Sequence, residues 1–266
     1  MNKNETLKTI LLIFGSFAFS FNLGNAVHEF GHAISDNIAG IPWSNIHVII
    51  HPFLAPHMSI YGGIPDSLMG WPDAAGPLAD VVVGLVVFAI LWQIRRPYLL
   101  PFLFWGPLAC VQEGFGQIVN ISQTGTDAAR MVAAGFPAFA LILISSLLLI
   151  TGIVLFVMLV PVSGVSTESR LLKRLLVLVA GMLPYGLIML LVNSVSCAPQ
   201  SDISRSINVT AGFLLIAILV SLLYGPLNKI LYRFISPKEY QVNWYSVFIT
   251  TGLLVIIVLL QLLFLN

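Results

Sequence analysis

Charge is scarce in this sequence. Of 266 residues only 9% are Asp, Glu, Lys or Arg, while 58% are hydrophobic. A water-soluble domain carries about 25% charged residues, so this balance excludes a soluble globule and points to lipid as the solvent. The net charge is +1, with no basic tract, which excludes a nucleic-acid partner. Cysteine is equally sparse: Cys110 and Cys197 cannot make a disulfide framework. Cys110 lies in an apolar run and reads as packing, and Cys197 lies in a loop as a free thiol. Long polar linkers, low-complexity tracts and internal repeats are all missing. A single polytopic domain over residues 1–266 follows.

What the chain does have is long apolar runs. About 18 or more such residues cross a hydrocarbon core roughly 30 Å thick, and seven segments qualify: 8–27, 74–94, 98–121, 136–161, 172–193, 208–225 and 244–265. Pro101, Pro107 and Glu113 interrupt the third, and Pro184 the fifth. The expected fold is therefore all-α and membrane-integral, with about seven transmembrane helices and a short β-like segment after the first. That first run is too long for a removed signal peptide and lacks a small-residue cleavage site. With a cytoplasmic N terminus, the cytoplasmic stretches hold Lys3, Lys8, Arg95, Arg96, Arg170, Lys173, Arg174, Lys229, Arg233 and Lys238. The opposite side holds Arg130 and Arg205. This asymmetry sets the orientation under the positive-inside rule.

Residues 40–73 form the longest stretch between spans. Within them Ile46–His51 is a β-branched patch with the look of a short strand, and Gly62-Gly63 reads as a turn. His47, His51 and His57 fall in this stretch as a second metal site, a pH-sensitive gate, or plain interfacial polar residues. Asn120-Ile-Ser and Asn208-Val-Thr fit the glycosylation pattern only weakly, since both sit at helix ends.

The chemistry concentrates at the end of the first span, in His28-Glu29-Phe30-Gly31-His32. Two histidines at i and i+4 share one helix face, one turn apart, and can reach a single zinc ion at about 2.0–2.1 Å. Glu29 projects beside that ion and is placed to act as a general base. Ionisable groups in a membrane helix are expensive, so three together argue for function.

A catalytic zinc site needs a third protein ligand. The topology restricts it to acids at the same membrane face: Asp36, Asp66, Asp73, Asp80, Glu113, Asp127 and Asp202. Asp36, four residues past His32, is either a partner that orients an imidazole or a solvated carboxylate. Asp66 and Asp73 read as turn residues. Asp127, in Gly125-Thr126-Asp127-Ala128-Ala129-Arg130, is a ligand or part of a helix cap. Glu113 sits inside an apolar run, so its carboxylate needs a partner, either the metal or Gln117 one turn on.

These residues resemble a family. His28-Glu29-Phe30-Gly31-His32 matches the His-Glu-x-Gly-His form of the site-2 proteases, the intramembrane zinc metalloproteases. Ala75-Gly76-Pro77-Leu78-Ala79-Asp80 looks like that family's Ala-Gly-Pro-x-x-Asn element, with Asp80 in place of Asn. The family's third zinc ligand is an Asp in a later Leu-Asp-Gly motif, with an Asn about eight residues before it. Here Asp127 has Asn120 seven residues earlier and carries over as the ligand, with Glu113 as the substitute. The flanking residues depart from the pattern, so the chain is similar to a divergent member. The resemblance covers roughly residues 20–150 and implies a metal-binding core over 1–160, with 161–266 as additional helices. It also implies zinc as cofactor, a membrane-associated protein substrate, and Asp80 and Asn120 near that substrate.

The expected activity is hydrolysis of peptide bonds in membrane-associated substrates by a zinc-activated water. A substrate helix must unwind before its shielded carbonyls can react, and an exposed strand edge such as Ile46–His51 can hold the extended peptide. Two alternatives stand beside it: a zinc hydrolase acting on lipid or a lipidated substrate, and a non-proteolytic membrane protein that keeps the fold.

Overall fold

The computed structural model describes residues 3–53, 57–60, 70–165, 170–196, 200–231 and 240–264. Gly62-Gly63, Asp66 and Cys197 lie outside the described residues, and so do the side chains of His57 and Asp202. The chain is an all-α, multi-pass membrane protein. Helix α1 runs over Lys3–Ile38, α2 over Trp71–Trp92, α6 over Ala138–Leu159 and α7 over Leu171–Val195. Helix α8 spans Gln200–Leu231 and α9 spans Trp244–Phe264. These six helices are long and apolar enough to cross a membrane.

The seventh apolar run is present but broken. A 3₁₀ turn at Pro97–Leu99 leads into α3 (Leu100–Leu103), and α4 (Trp105–Asn120) starts after Phe104. Proline lacks a backbone N–H, which costs nothing in the first turn of a helix, where that N–H has no intrahelical partner. Pro101 and Pro107 each fall in such a turn, so the sequence makes two short helices where composition suggested one. At the break, the Ser20 hydroxyl of α1 donates to the carbonyl of Pro101. α4 has 16 residues, about 24 Å of rise, and most of it is buried beneath its neighbours.

α1 is the hub. Its 36 residues rise about 54 Å, well beyond the 8–27 run, and α2, α4, α7 and α9 all pack on it. Small residues bring the helix backbones close where α2 crosses α4: a Cβ at Gly106 would stand 2.6 Å from the carbonyl oxygen of Gly84. Outward faces are apolar, with Phe139, Ile150, Phe248 and Leu263 all largely exposed, as lipid contact requires.

A hairpin follows α1. Strand β1 (Ile46–Ile49) pairs antiparallel with β2 (His57–Ile60), in the register Ile46 to Ile60 and Ile49 to His57. The strand expected at Ile46–His51 is thus present, two residues shorter. Ile46 and Val48 pack on Ala33 of α1, the residue after His32. One further helix lies beyond the sequence reading: α5 (Asp127–Ala133), a short segment between α4 and α6.

Candidate metal centre

Four helices meet at the C-terminal third of α1. His28 and His32 lie one turn apart, with Nε2 atoms 3.1 Å from each other. Asp127, the first residue of α5, places Oδ2 3.3 Å from His28 Nε2 and 3.4 Å from His32 Nε2. Three ligand-capable atoms, 99 residues apart in sequence at the extremes, thus form a nearly equilateral triangle.

The outer sides of the two rings decide what this triangle can hold. His32 Nδ1 lies 2.6 Å from the carbonyl oxygen of Pro72. A carbonyl only accepts, so Nδ1 carries the hydrogen and Nε2 carries a lone pair. His28 Nδ1 lies 3.0 Å from Glu113 Oε1, which fixes the same tautomer in that ring. The two Nε2 atoms therefore face each other and an anionic carboxylate oxygen, a group held together either by a proton on Nε2 or by a cation that takes the lone pairs of the neutral rings. Ligands about 2.0–2.1 Å from a tetrahedral ion stand roughly 3.3–3.4 Å apart, and the observed edges match. The donor set of two imidazoles and one carboxylate suits zinc, and three protein ligands leave one position open.

Local sequence explains why the parts are held. Thr126 caps α5, its Oγ1 accepting from the Ala129 N–H at 3.3 Å and donating to the Asn120 carbonyl at 2.8 Å. The cap role thus falls to Thr126 and leaves the Asp127 side chain for the cluster. Arg130 Nη2 donates to Asp127 Oδ1 at 2.6 Å, so only Oδ2 faces the histidines. The same guanidinium bonds Asp73 in the first turn of α2, and Asp73 Oδ2 accepts from the Gly70 N–H at 3.0 Å. Burial pushes the Asp127 carboxyl up, but hydrogen bonds from His28 and His32 outweigh it and hold the group well below the usual carboxylate range.

The glycines of two motifs set the spacing. A Cβ on Gly76 would lie 2.3 Å from His32 Nε2, and one on Gly31 would lie 2.7 Å from the carbonyl oxygen of Ala75. The His-Glu-x-Gly-His and Ala-Gly-Pro elements are therefore two faces of one contact, with the His32 ring laid on bare backbone.

The remaining candidates divide. Glu29 is buried beside His28. Glu113 is not grouped with the triangle; it sits behind His28, and its Oε2 accepts from Gln117 Nε2 at 3.0 Å. It thereby meets Gln117 and an imidazole at once. Asp36 is fully buried rather than solvated, and neither of its oxygens has a hydrogen-bond partner. Pro72, not Asp36, orients His32. Asp80 accepts from Trp105 Nε1 at 2.6 Å and is not grouped with the triangle, and the Asn120 carbonyl accepts from Thr126. Asp73 is a buried ion-pair partner rather than a turn residue. His51, whose Nδ1 accepts from the Phe53 N–H at 3.2 Å, stays apart, and burial lowers its pKa.

Sequence reasoning missed Pro72 and Arg130. A backbone carbonyl has no residue signature, so nothing in the chain announced Pro72. Arg130 did carry a signal, being one of only 12 Lys and Arg residues and standing three positions after Asp127.

Fold and site together define a multi-pass membrane protein with a partly buried His-His-Asp cluster that could hold a metal ion. Comparison of the chain with protein-family models, curated proteins and solved structures finds no match.

Proposed function

We propose that this protein is an intramembrane zinc metalloprotease, cleaving peptide bonds of membrane-associated substrates. The observation that carries the reading is the triangle of His28 Nε2, His32 Nε2 and Asp127 Oδ2, with edges of 3.1, 3.3 and 3.4 Å and Glu29 next to it in sequence. Those three atoms would hold the zinc. Zinc held there would supply a water whose pKa is lowered towards about 7 and would polarise a substrate carbonyl. Glu29 would hold the proton taken from that water and return it to the leaving amine, which restores its carboxylate. Glu113 and the Pro72 carbonyl keep both imidazoles in the ligating tautomer.

The hairpin favours a peptide over a lipid. β1 packs on α1 beside His32 and is bonded to β2 along one edge only. At its start the Ile46 N–H donates to the Trp43 carbonyl, one turn back along the chain. An unwound peptide can add to that edge. The positive-inside distribution of Lys and Arg supports a cytoplasmic N terminus, with the cluster towards the non-cytoplasmic face.

The test uses purified protein in detergent or nanodiscs with a membrane-anchored peptide. Wild type should contain stoichiometric zinc and cleave, and a chelator should abolish cleavage. Glu29→Gln should retain zinc and lose at least about 100-fold in rate, as expected for a general base. Zinc-loaded wild type that cleaves no peptide would end the protease reading.

A further inference from the structure

The hairpin turn is tied to the half of the chain that carries no motif. Pro52 and Phe53, just past β1, offer two consecutive carbonyls to the interior of the helix bundle. The hydroxyl of Tyr185 donates to the Pro52 carbonyl, and Nδ2 of Asn193 donates to the Phe53 carbonyl at 2.9 Å. Tyr185 and Asn193 lie eight residues apart on α7, with buried Met189 midway, so all three share one helix face.

Both side chains are themselves fixed. Asn22 of α1 donates from Nδ2 to the Tyr185 oxygen at 2.8 Å. Asn193 Nδ2 also lies 3.0 Å from Ser206 Oγ of α8, and Gln261 of α9 donates to the Asn22 carbonyl at 3.1 Å. Tyr185 is 2% and Asn193 0% exposed, so these bonds form away from water. Irregular backbone within a membrane bundle persists only where protein groups satisfy it. The Phe53 ring adds an apolar contact, its centroid 6.1 Å from that of Tyr185.

We propose that Tyr185 and Asn193 are positioning residues for the peptide-binding edge. They latch the Pro52–Phe53 turn to α7 and so set where β1 lies along α1 relative to His28 and His32. Neither touches the cluster, and their effect is on where a substrate peptide docks. The substrate part rests on the protease reading; the latch itself does not.

The experiment uses full-length protein in nanodiscs. Tyr185→Phe removes one donor and keeps the ring, and Asn193→Leu removes the other at similar volume. Three quantities are read: amide hydrogen exchange over residues 46–50, bound zinc, and KM with kcat for the anchored peptide. The latch predicts exchange at least about tenfold faster over β1 in either variant, since each lost bond loosens the turn. Zinc should remain stoichiometric, KM should rise severalfold, and kcat should change little. Unchanged exchange in Tyr185→Phe overturns the proposal, as does a kcat loss with KM unchanged. Zinc lost in step with exchange also overturns it, because the residues would then serve the whole bundle. If Asn193→Leu does not fold, Tyr185→Phe decides alone. If wild type cleaves nothing, the protease reading fails separately, and exchange still decides the latch.

Discussion

The two halves of the bundle bury different kinds of polar group. Residues up to 160 bury carboxylates: Glu29, Asp36, Asp73, Asp80 and Glu113 are each less than 9% exposed. Past residue 160, the described buried polar residues are amides and hydroxyls, such as Asn193, Ser206, Ser221 and Gln261, with Arg174 as the one charge. Burying an ionised carboxylate is far more expensive than burying an amide, and it persists where cations or donors compensate. In the first half His28 compensates Glu113, Arg130 compensates Asp73, and the Trp105 N–H donates to Asp80. The second half makes neutral hydrogen bonds that hold backbone. On the proposed function, chemistry falls to the first half and positioning to the second.

That separation can be broken from the metal side. The largest effect is expected from Asp127→Ala, which removes one corner of the triangle and leaves two imidazoles. Zinc should fall to a small fraction of stoichiometric by elemental analysis, with affinity down by more than about 100-fold, beyond the loss typical for outer partners of a metal ligand. Full zinc occupancy in that variant would return the third-ligand role to Glu113. Close behind comes Gly76→Ala, which changes no ligand. The added methyl has to occupy space 2.3 Å from His32 Nε2, so the ring must turn away and zinc should be lost while helix content by circular dichroism stays constant. Retention of zinc there would mean that α1 and α2 can slide apart cheaply.

A smaller loss is expected for Glu113→Gln. The glutamine keeps the bond to His28 in shape but not in charge, and weakening an outer partner of a ligating histidine typically costs 10–100-fold in affinity. Titration with a competing chelator measures it. A loss as large as that of Asp127→Ala would show that Glu113 and Asp127 have equal standing.

How far the sequence carries is decided by the same physics. Helix positions were legible because composition and length alone set them, and the metal pair was legible because i, i+4 histidines must share a face. Asp127 emerged as a candidate through a pattern, but its setting did not. Thr126 as the cap, Arg130 reaching back 57 residues to Asp73 and the Pro72 carbonyl on His32 are tertiary pairings between groups with many possible partners. The break at Phe104 was foreshadowed by Pro101 and Pro107. Asp36 went the other way: a carboxylate near a helix end looks solvated, yet the folded chain leaves it fully buried.

The smallest effect should come from the control in the second half. Gly186→Ala puts a methyl 2.8 Å from Thr210 Oγ1 and 3.1 Å from the Phe213 ring, a crowding as real as that at Gly76. The neighbour is a threonine hydroxyl and an aromatic edge between α7 and α8, so the strain is met by small shifts of those helices, at about 1–3 kcal/mol for overpacking. No charged group or ligand is displaced. Zinc content should match wild type while the thermal midpoint falls by a few degrees, on the order of 2–4 °C per kcal/mol for a chain this long. Equal zinc loss from Gly186→Ala and Gly76→Ala would show that the two halves are one mechanical unit, and the division of labour drawn from their buried groups would not hold.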